Sequence, residues 1–222
     1  MGGDHLSIET TLAAHTRVII STPSANRVYR SLGEVSIHEA DIAVGPGAVL
    51  EWIPEHTLPF AGSRFRQTID VKLAAGATVV LWDAIASGRI ARRERWRFTS
   101  LENEIRITTA SGASVREHYA LAPTDKWSGI GLAEEWDYVG SLFVIGDGVD
   151  PSVWMLLETV LADILESHRD QVLGGVSQPA APGLVVKLVA TSAPVLTTVL
   201  DALWEAVRKS LWNLPSVILR KY

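Results

Sequence analysis

Three stretches of this chain, residues 10–20, 41–52 and 70–82, repeat one pattern: a strand, a turn of small residues and a second apolar strand. Corresponding positions recur at roughly 30 residues, a spacing at which β units stack so that each buries its face against the next. A meander of hairpins shares the pattern, but stacked units are the favoured reading. The surrounding sequence carries the same strand signal. Leu6, Ile8, Thr10 and Leu12 alternate with polar residues, as do Val35 and Ile37, and then Phe65, Gln67, Ile69, Val71 and Leu73. Such alternation marks strands with one buried face. Gly33, Gly45, Gly47, Gly62, Gly76, Gly88 and Gly112 punctuate these runs as turns require.

The character changes after Gly148. Ser152 is placed to cap a helix over 152–173 with the apolar stripe Val153, Leu157, Val160, Leu161, Ile164 and Leu165, and Gly174-Gly175 reads as its stop. A loop with Pro179 and Pro182 leads to a short apolar strand over 184–189. A second helix over 192–213 has Pro194 in its first turn and buries Val195, Leu196, Val199, Leu200, Leu203, Trp204, Val207 and Leu211. Pro215 ends it, and Val217-Ile218-Leu219 reads as a closing strand. The expected fold is mainly β, of the α+β class. Stacked, β-helix-like strands fill 1–150, and a helix–strand–helix–strand part over 151–222, with two amphipathic helices, packs on them as one domain.

The candidate chemistry is carboxylate chemistry. The segment from Trp82 to Glu94 reads as an apolar strand ending in Asp83, a Gly88-Arg89 turn and a second, polar strand. A carboxylate there must be solvated, paired or given a metal, because burying it bare is costly. Glu117 shares a strand face with Val115 and Tyr119, while Arg116 and His118 point the other way. Either acid is also explained by a surface position or a salt bridge, and Asp4, beside Gly2-Gly3, reads alone as a turn residue. The six histidines form no ligand pair of recognisable spacing. No phosphate-binding loop and no G-x-S-x-G nucleophile elbow is present. Of the tryptophans, Trp82, Trp96, Trp154, Trp204 and Trp212 are expected in the core. Trp127 and Trp136 flank a glycine-bearing acidic segment and suit a protein interface.

Composition narrows the partners. The chain of 222 residues carries a net charge of -5, with its basic residues interspersed among acids, so a nucleic-acid footprint is missing. The absence of cysteine removes disulfides and thiolate metal sites. No leader-like stretch and no apolar run near the ~20 residues of a membrane span is found, and a soluble, cytoplasmic protein is expected.

Several motifs, in their order along the chain, resemble the urease accessory protein D family, called H in some organisms. They are Gly2-Gly3-Asp4-x-Leu6, Thr22-Pro23 with Tyr29-Arg30, Leu50-Glu51-Trp52-Ile53-Pro54 with Phe60, Asp83, and Gly88-Arg89 with Glu94. Leu203-Trp204 with Arg208, then Pro215 and Arg220, complete the set. Two departures stand out. Family members usually carry a further stretch before Gly-Gly-Asp that completes the first layer, and the turn usually written Pro-Gly-Ala-x-Lys is Pro23-Ser24-Ala25-Asn26-Arg27 here.

The resemblance implies a non-enzymatic scaffold for urease maturation. Its partners would be apo-urease, the accessory F protein and, through F, the GTPase G. It would hold no permanent cofactor, only Ni²⁺ in transit. The passage residues implied by motif are Asp4, Asn26, Asp83 and Glu117, and Arg89 and Glu94 are expected to pair structurally. A different class of function, glycan hydrolysis, would use Asp83 and Glu117 as an acid/base pair about 5–10 Å apart.

Overall fold

The computed structural model describes residues 2–123 and 134–219. Trp127, Gly129, Gly131 and Arg220 lie outside the described residues.

The repeats are the coils of a stack. Strands β1 (His5–Leu12), β4 (Ser36–Val44) and β7 (Arg64–Leu73) lie side by side and parallel in one sheet. Strands β2 (Arg17–Ser21), β5 (Val49–Ile53) and β8 (Thr78–Ala86) do the same in a second sheet. Parallel neighbours in register, Leu12–Val44–Leu73 and Arg17–Val49–Thr78, decide for stacked coils over a meander of hairpins. Two short strands, β3 (Asn26–Val28) and β6 (Thr57–Pro59), pair beside the second sheet.

The coils share one turn. Thr16, Ala48 and Ala77 each donate a backbone N–H to the residue three before. The third turn residue is left-handed every time: His15, Gly47 and Gly76 have φ of 59°, 61° and 70°, as a type II turn requires. Stacking adds its own demand at Gly45, where a Cβ would lie 2.5 Å from the Leu12 carbonyl oxygen of the neighbouring coil.

Both sheets extend beyond the repeats. The first sheet continues with β9 (Ser100–Thr108), parallel to β7, and β10 (Ser114–Leu121), antiparallel to β9. The second continues from β8 through β11 (Tyr138–Gly146), β13 (Gly183–Ala190) and β12 (Val172–Ser177), all antiparallel. Helices α1 (Pro151–Ser167) and α2 (Ala193–Trp212) cover its outer face. Buried on both faces, β8 has the near-continuous apolar run expected of such a strand. Leu81 and Ile85 face the first sheet, while Val80, Trp82 and Ala84 pack under the helices.

The structure corrects the sequence reading at five points. Asp83 does not end its strand; it sits inside β8. Past Gly88 there is no second strand but a 3₁₀ turn, Ile90–Arg92, closed by left-handed Arg93. Helix α1 starts one residue earlier, its cap being Asp150, which accepts the Ser152 N–H at 2.8 Å, and it stops at Ser167. Gly174-Gly175 therefore terminates nothing. It lies in β12, where a Cβ on Gly174 would come within 2.8 Å of the Lys187 carbonyl oxygen. Val217-Ile218-Leu219 forms no strand; the Arg208 guanidinium holds the preceding Pro215 carbonyl at 2.9 Å, and Val217 and Leu219 pack irregularly on the helical core. The second helix begins after Ser192, whose side chain makes no capping hydrogen bond, and ends at left-handed Asn213. Trp52, Trp82, Trp96, Trp154 and Trp204 are buried, and Trp136 and Trp212 are half-buried.

Candidate functional site: a polar layer between the sheets

The inward positions of the first sheet form layers, one residue per strand. One of them is polar on each of four neighbouring strands, and the others are mainly apolar. In register across β4, β7, β9 and β10 stand His38, Gln67, Asn103 and Tyr119. Opposite them, β8, β11 and β13 bring Asp83, Ser141 and Lys187 into one row. Two apolar clusters flank this layer, one around Leu81 and Phe143 and the other around Phe65 and Ile85.

Asp83 is the centre of the layer and is 6% exposed. Gln67 Nε2 donates to its Oδ1 and Asn103 Nδ2 to its Oδ2, both at 2.9 Å. Gln67 Nε2 also reaches Asn103 Oδ1 at 3.0 Å, and Asn103 Nδ2 reaches the Tyr119 hydroxyl at 3.1 Å. Burial nevertheless pushes the Asp83 carboxyl above its ordinary range, against the opposing pull of Gln67, Lys187, Asn103 and His38. Burial also raises Tyr119, and the Asp83 charge adds to it.

Glu117 lies one layer away, next to Ile105. Its side chain is 8% exposed and in direct contact with Lys187 Nζ. Ser141 Oγ donates to it at 3.2 Å and accepts from Lys187 Nζ at 2.9 Å. Burial lowers Lys187 to about 8, with Asp83 pulling it back up.

A cavity of about 470 Å³ opens beside the layer. Asp4, Asn26, His38, Gln67 and Asp83 contribute to its lining, and Glu117 does not. Asp4 and Asn26 are exposed and Asp83 is buried, so the cavity leads from the surface to the Asp83 carboxylate. Of the four residues singled out by sequence, three thus share one cavity, and the fourth is tied to it through Ser141, the register neighbour of Asp83. An acid/base pair acting on one glycan would need Asp83 and Glu117 to face a common cleft. Here one lines the cavity and the other is held by Lys187.

Sequence reasoning missed His38, Asn103, Ser141 and Lys187 as participants. Gln67 carried a usable signal: it is a polar residue at an inward position of an otherwise apolar alternation.

The motif residues outside the cavity also meet in space. Glu51 is fully buried and accepts from Arg208 Nη1 at 2.5 and 2.6 Å and from the Trp204 indole at 2.6 Å, joining β5 to α2. Arg89 pairs with Glu94 and stacks 4.1 Å over Phe60, whose ring also meets Tyr29. The structural pairing expected of Arg89 and Glu94 is present.

The Asp83 environment has a measurable signature. Its folded pKa is raised above the 3.8 of an unperturbed carboxyl. As pH rises from there through the folded value, the unfolded state has lost a proton that the native state keeps, so stability falls. Above the folded value the deficit is constant. In Asp83→Asn this contribution is absent, so the melting temperature of the variant minus that of the unaltered protein should increase with pH from about 4 upward. A difference that stays flat with pH would refute the assignment.

Fold and site together define a stacked-β protein with a carboxylate-centred polar layer reached through a surface cavity. The family model described as UreD urease accessory protein matches residues 1–221. Urease accessory protein UreD of Deinococcus radiodurans is 34% identical over 225 residues, covering 100% of this chain and 77% of that protein. The protein of the same name from an Anaeromyxobacter species is 30% identical over 86% of this chain and 64% of its own length. That of Haloarcula marismortui is 29% identical over 99% of this chain and 73% of its own length. This chain belongs to the UreD urease accessory protein family.

Proposed function

We propose that this protein is a non-enzymatic scaffold in urease maturation that binds apo-urease and the accessory F protein, recruits the GTPase G through F, and passes Ni²⁺ through its interior to the urease site. The observation that carries the reading is the cavity. Asp4, Asn26 and Asp83, far apart in sequence, line one path from the surface to the polar layer, and Ser141 continues it to Glu117.

The chemistry suits cargo. Carboxylate and amide oxygens hold a divalent transition ion loosely, whereas a full imidazole or thiolate cage would trap it. Among the described residues, no three His, Asp or Glu side chains gather to hold a metal ion. The purified protein is accordingly expected to bind Ni²⁺ no tighter than micromolar in calorimetry. A sub-micromolar site that survives substitution of Asp83 and Glu117 would contradict transit and indicate storage.

No described helix is long and apolar enough to cross a membrane. The partner reading is tested by a pull-down from a host carrying a urease operon. Recovery of urease subunits together with F supports the scaffold; glycan turnover by the lone protein, without those subunits, refutes it.

A further inference from the structure

Resting on that reading, we infer that His38 is a nitrogen ligand for the travelling ion, its Nε2 lone pair being set free for a divalent transition cation by the hydrogen bonds of the polar layer. Gln67 and Asn103 both present their NH₂ groups to the Asp83 carboxyl oxygens, at 2.9 Å. Gln67 Nε2 is thereby committed to Asp83 and to the Asn103 carbonyl oxygen. Its other end, Oε1, is left facing His38 Nδ1 at 2.9 Å. A carbonyl oxygen accepts, so the proton of the neutral ring sits on Nδ1 and the lone pair sits on Nε2.

That Nε2 has no hydrogen-bond partner among the described residues and is shielded from solvent. His38 lines the cavity together with Asp83. An unpartnered buried acceptor is a standing cost that a ligated cation removes. Imidazole nitrogen is a ligand that Ni²⁺ favours. The Asp83–Gln67–His38 chain has the form of an outer-shell relay, in which an acceptor bonded to the far ring nitrogen fixes the tautomer and orients the ligating one. A lone imidazole, with the rest of the coordination left to carboxylate oxygen and water, marks a point on the route without closing a cage.

The test uses the full chain carrying ¹⁵N-labelled histidine, with nickel chloride as the probe. Two-bond ¹⁵N–¹H correlation spectra should show His38 protonated at Nδ1. Its ring signals should broaden at the lowest nickel additions, ahead of the other five histidines. Asparagine at this position mimics the Nδ1–H donor and lacks the second nitrogen. His38→Asn should therefore keep the melting temperature and lose Ni²⁺ affinity by at least the roughly tenfold that outer-shell changes alone produce.

A ring protonated at Nε2 overturns the inference. So do His38 signals that stay sharp while Asp83→Asn still lowers nickel loading of urease; in that event the passage survives and the histidine ligand does not. If neither His38 responds to nickel nor Asp83→Asn alters urease loading, the inference and the passage fall together.

Discussion

Urease matured with the Asp83→Asn, Glu117→Gln double variant is expected to carry on the order of tenfold less nickel than urease matured with the unaltered protein. Each single variant should lower loading by a smaller factor. The substitutions are close to isosteric, so they remove anionic oxygens while leaving the layer packed. Asp83→Asn relieves a buried charge and sets one amide NH₂ against another, two effects of about 1 kcal/mol and opposite sign. Glu117→Gln keeps an acceptor for Ser141 and weakens the contact with Lys187. Melting temperatures within a few degrees of the parent would separate loss of transit from loss of fold. Urease activity and nickel content unchanged in both single variants and the double one would remove Asp83 and Glu117 from the route.

The second large effect concerns stability. Arg208→Ala is expected to cost about 3–5 kcal/mol, because it strands the fully buried Glu51 carboxylate. Among the described residues, the Trp204 indole at 2.6 Å and Arg17 at 3.7 Å remain beside it, one a neutral donor and the other beyond hydrogen-bond reach. For a chain of this size the loss corresponds to a fall in melting temperature of roughly 10 °C. The guanidinium also holds the Pro215 carbonyl, so the irregular segment beyond α2 should loosen with it. The double variant Glu51→Met, Arg208→Met should recover much of the loss, since a buried ion pair and a well-packed apolar pair of similar volume are close in stability. Denaturant unfolding of the three proteins gives the comparison. A single-variant cost below about 1 kcal/mol would mean that the pair is not what fixes α2 to the sheet.

Much of this architecture was legible in the sequence, because local patterns dictated it. The three repeats gave the coils because each encodes the same left-handed turn between apolar strands. Helix α2 was legible because proline and apolar stripe agree. Helix α1 misled at its end, where Gly174-Gly175 mimics a stop signal although those glycines serve close strand packing. The 3₁₀ turn after Gly88 was missed because its arginines alternate with nothing.

The site was only half legible. Asp83 and Glu117 stood out as acids among apolar neighbours, and family motifs supplied Asp4 and Asn26. The partners of Asp83 come from elsewhere: Gln67 is 16 positions away and Asn103 is 20. Lys187 reaches the row only through pairing of β11 with β13. Register between coils decides such meetings, and no local spacing reports it.

The polar layer also bears on how the stack finds its alignment. Layers of isoleucine, valine and leucine are nearly interchangeable, so a strand displaced by two residues would still bury apolar side chains against apolar side chains. Such a slip in β7 would carry Gln67 out of reach of Asp83, Asn103 and His38 together, leaving several buried polar groups unsatisfied at once. The one hydrophilic level thus works as an alignment mark, as a single buried asparagine does in a coiled coil. The groups proposed to carry an ion across the protein are also those that tell each coil where to sit on the one before it.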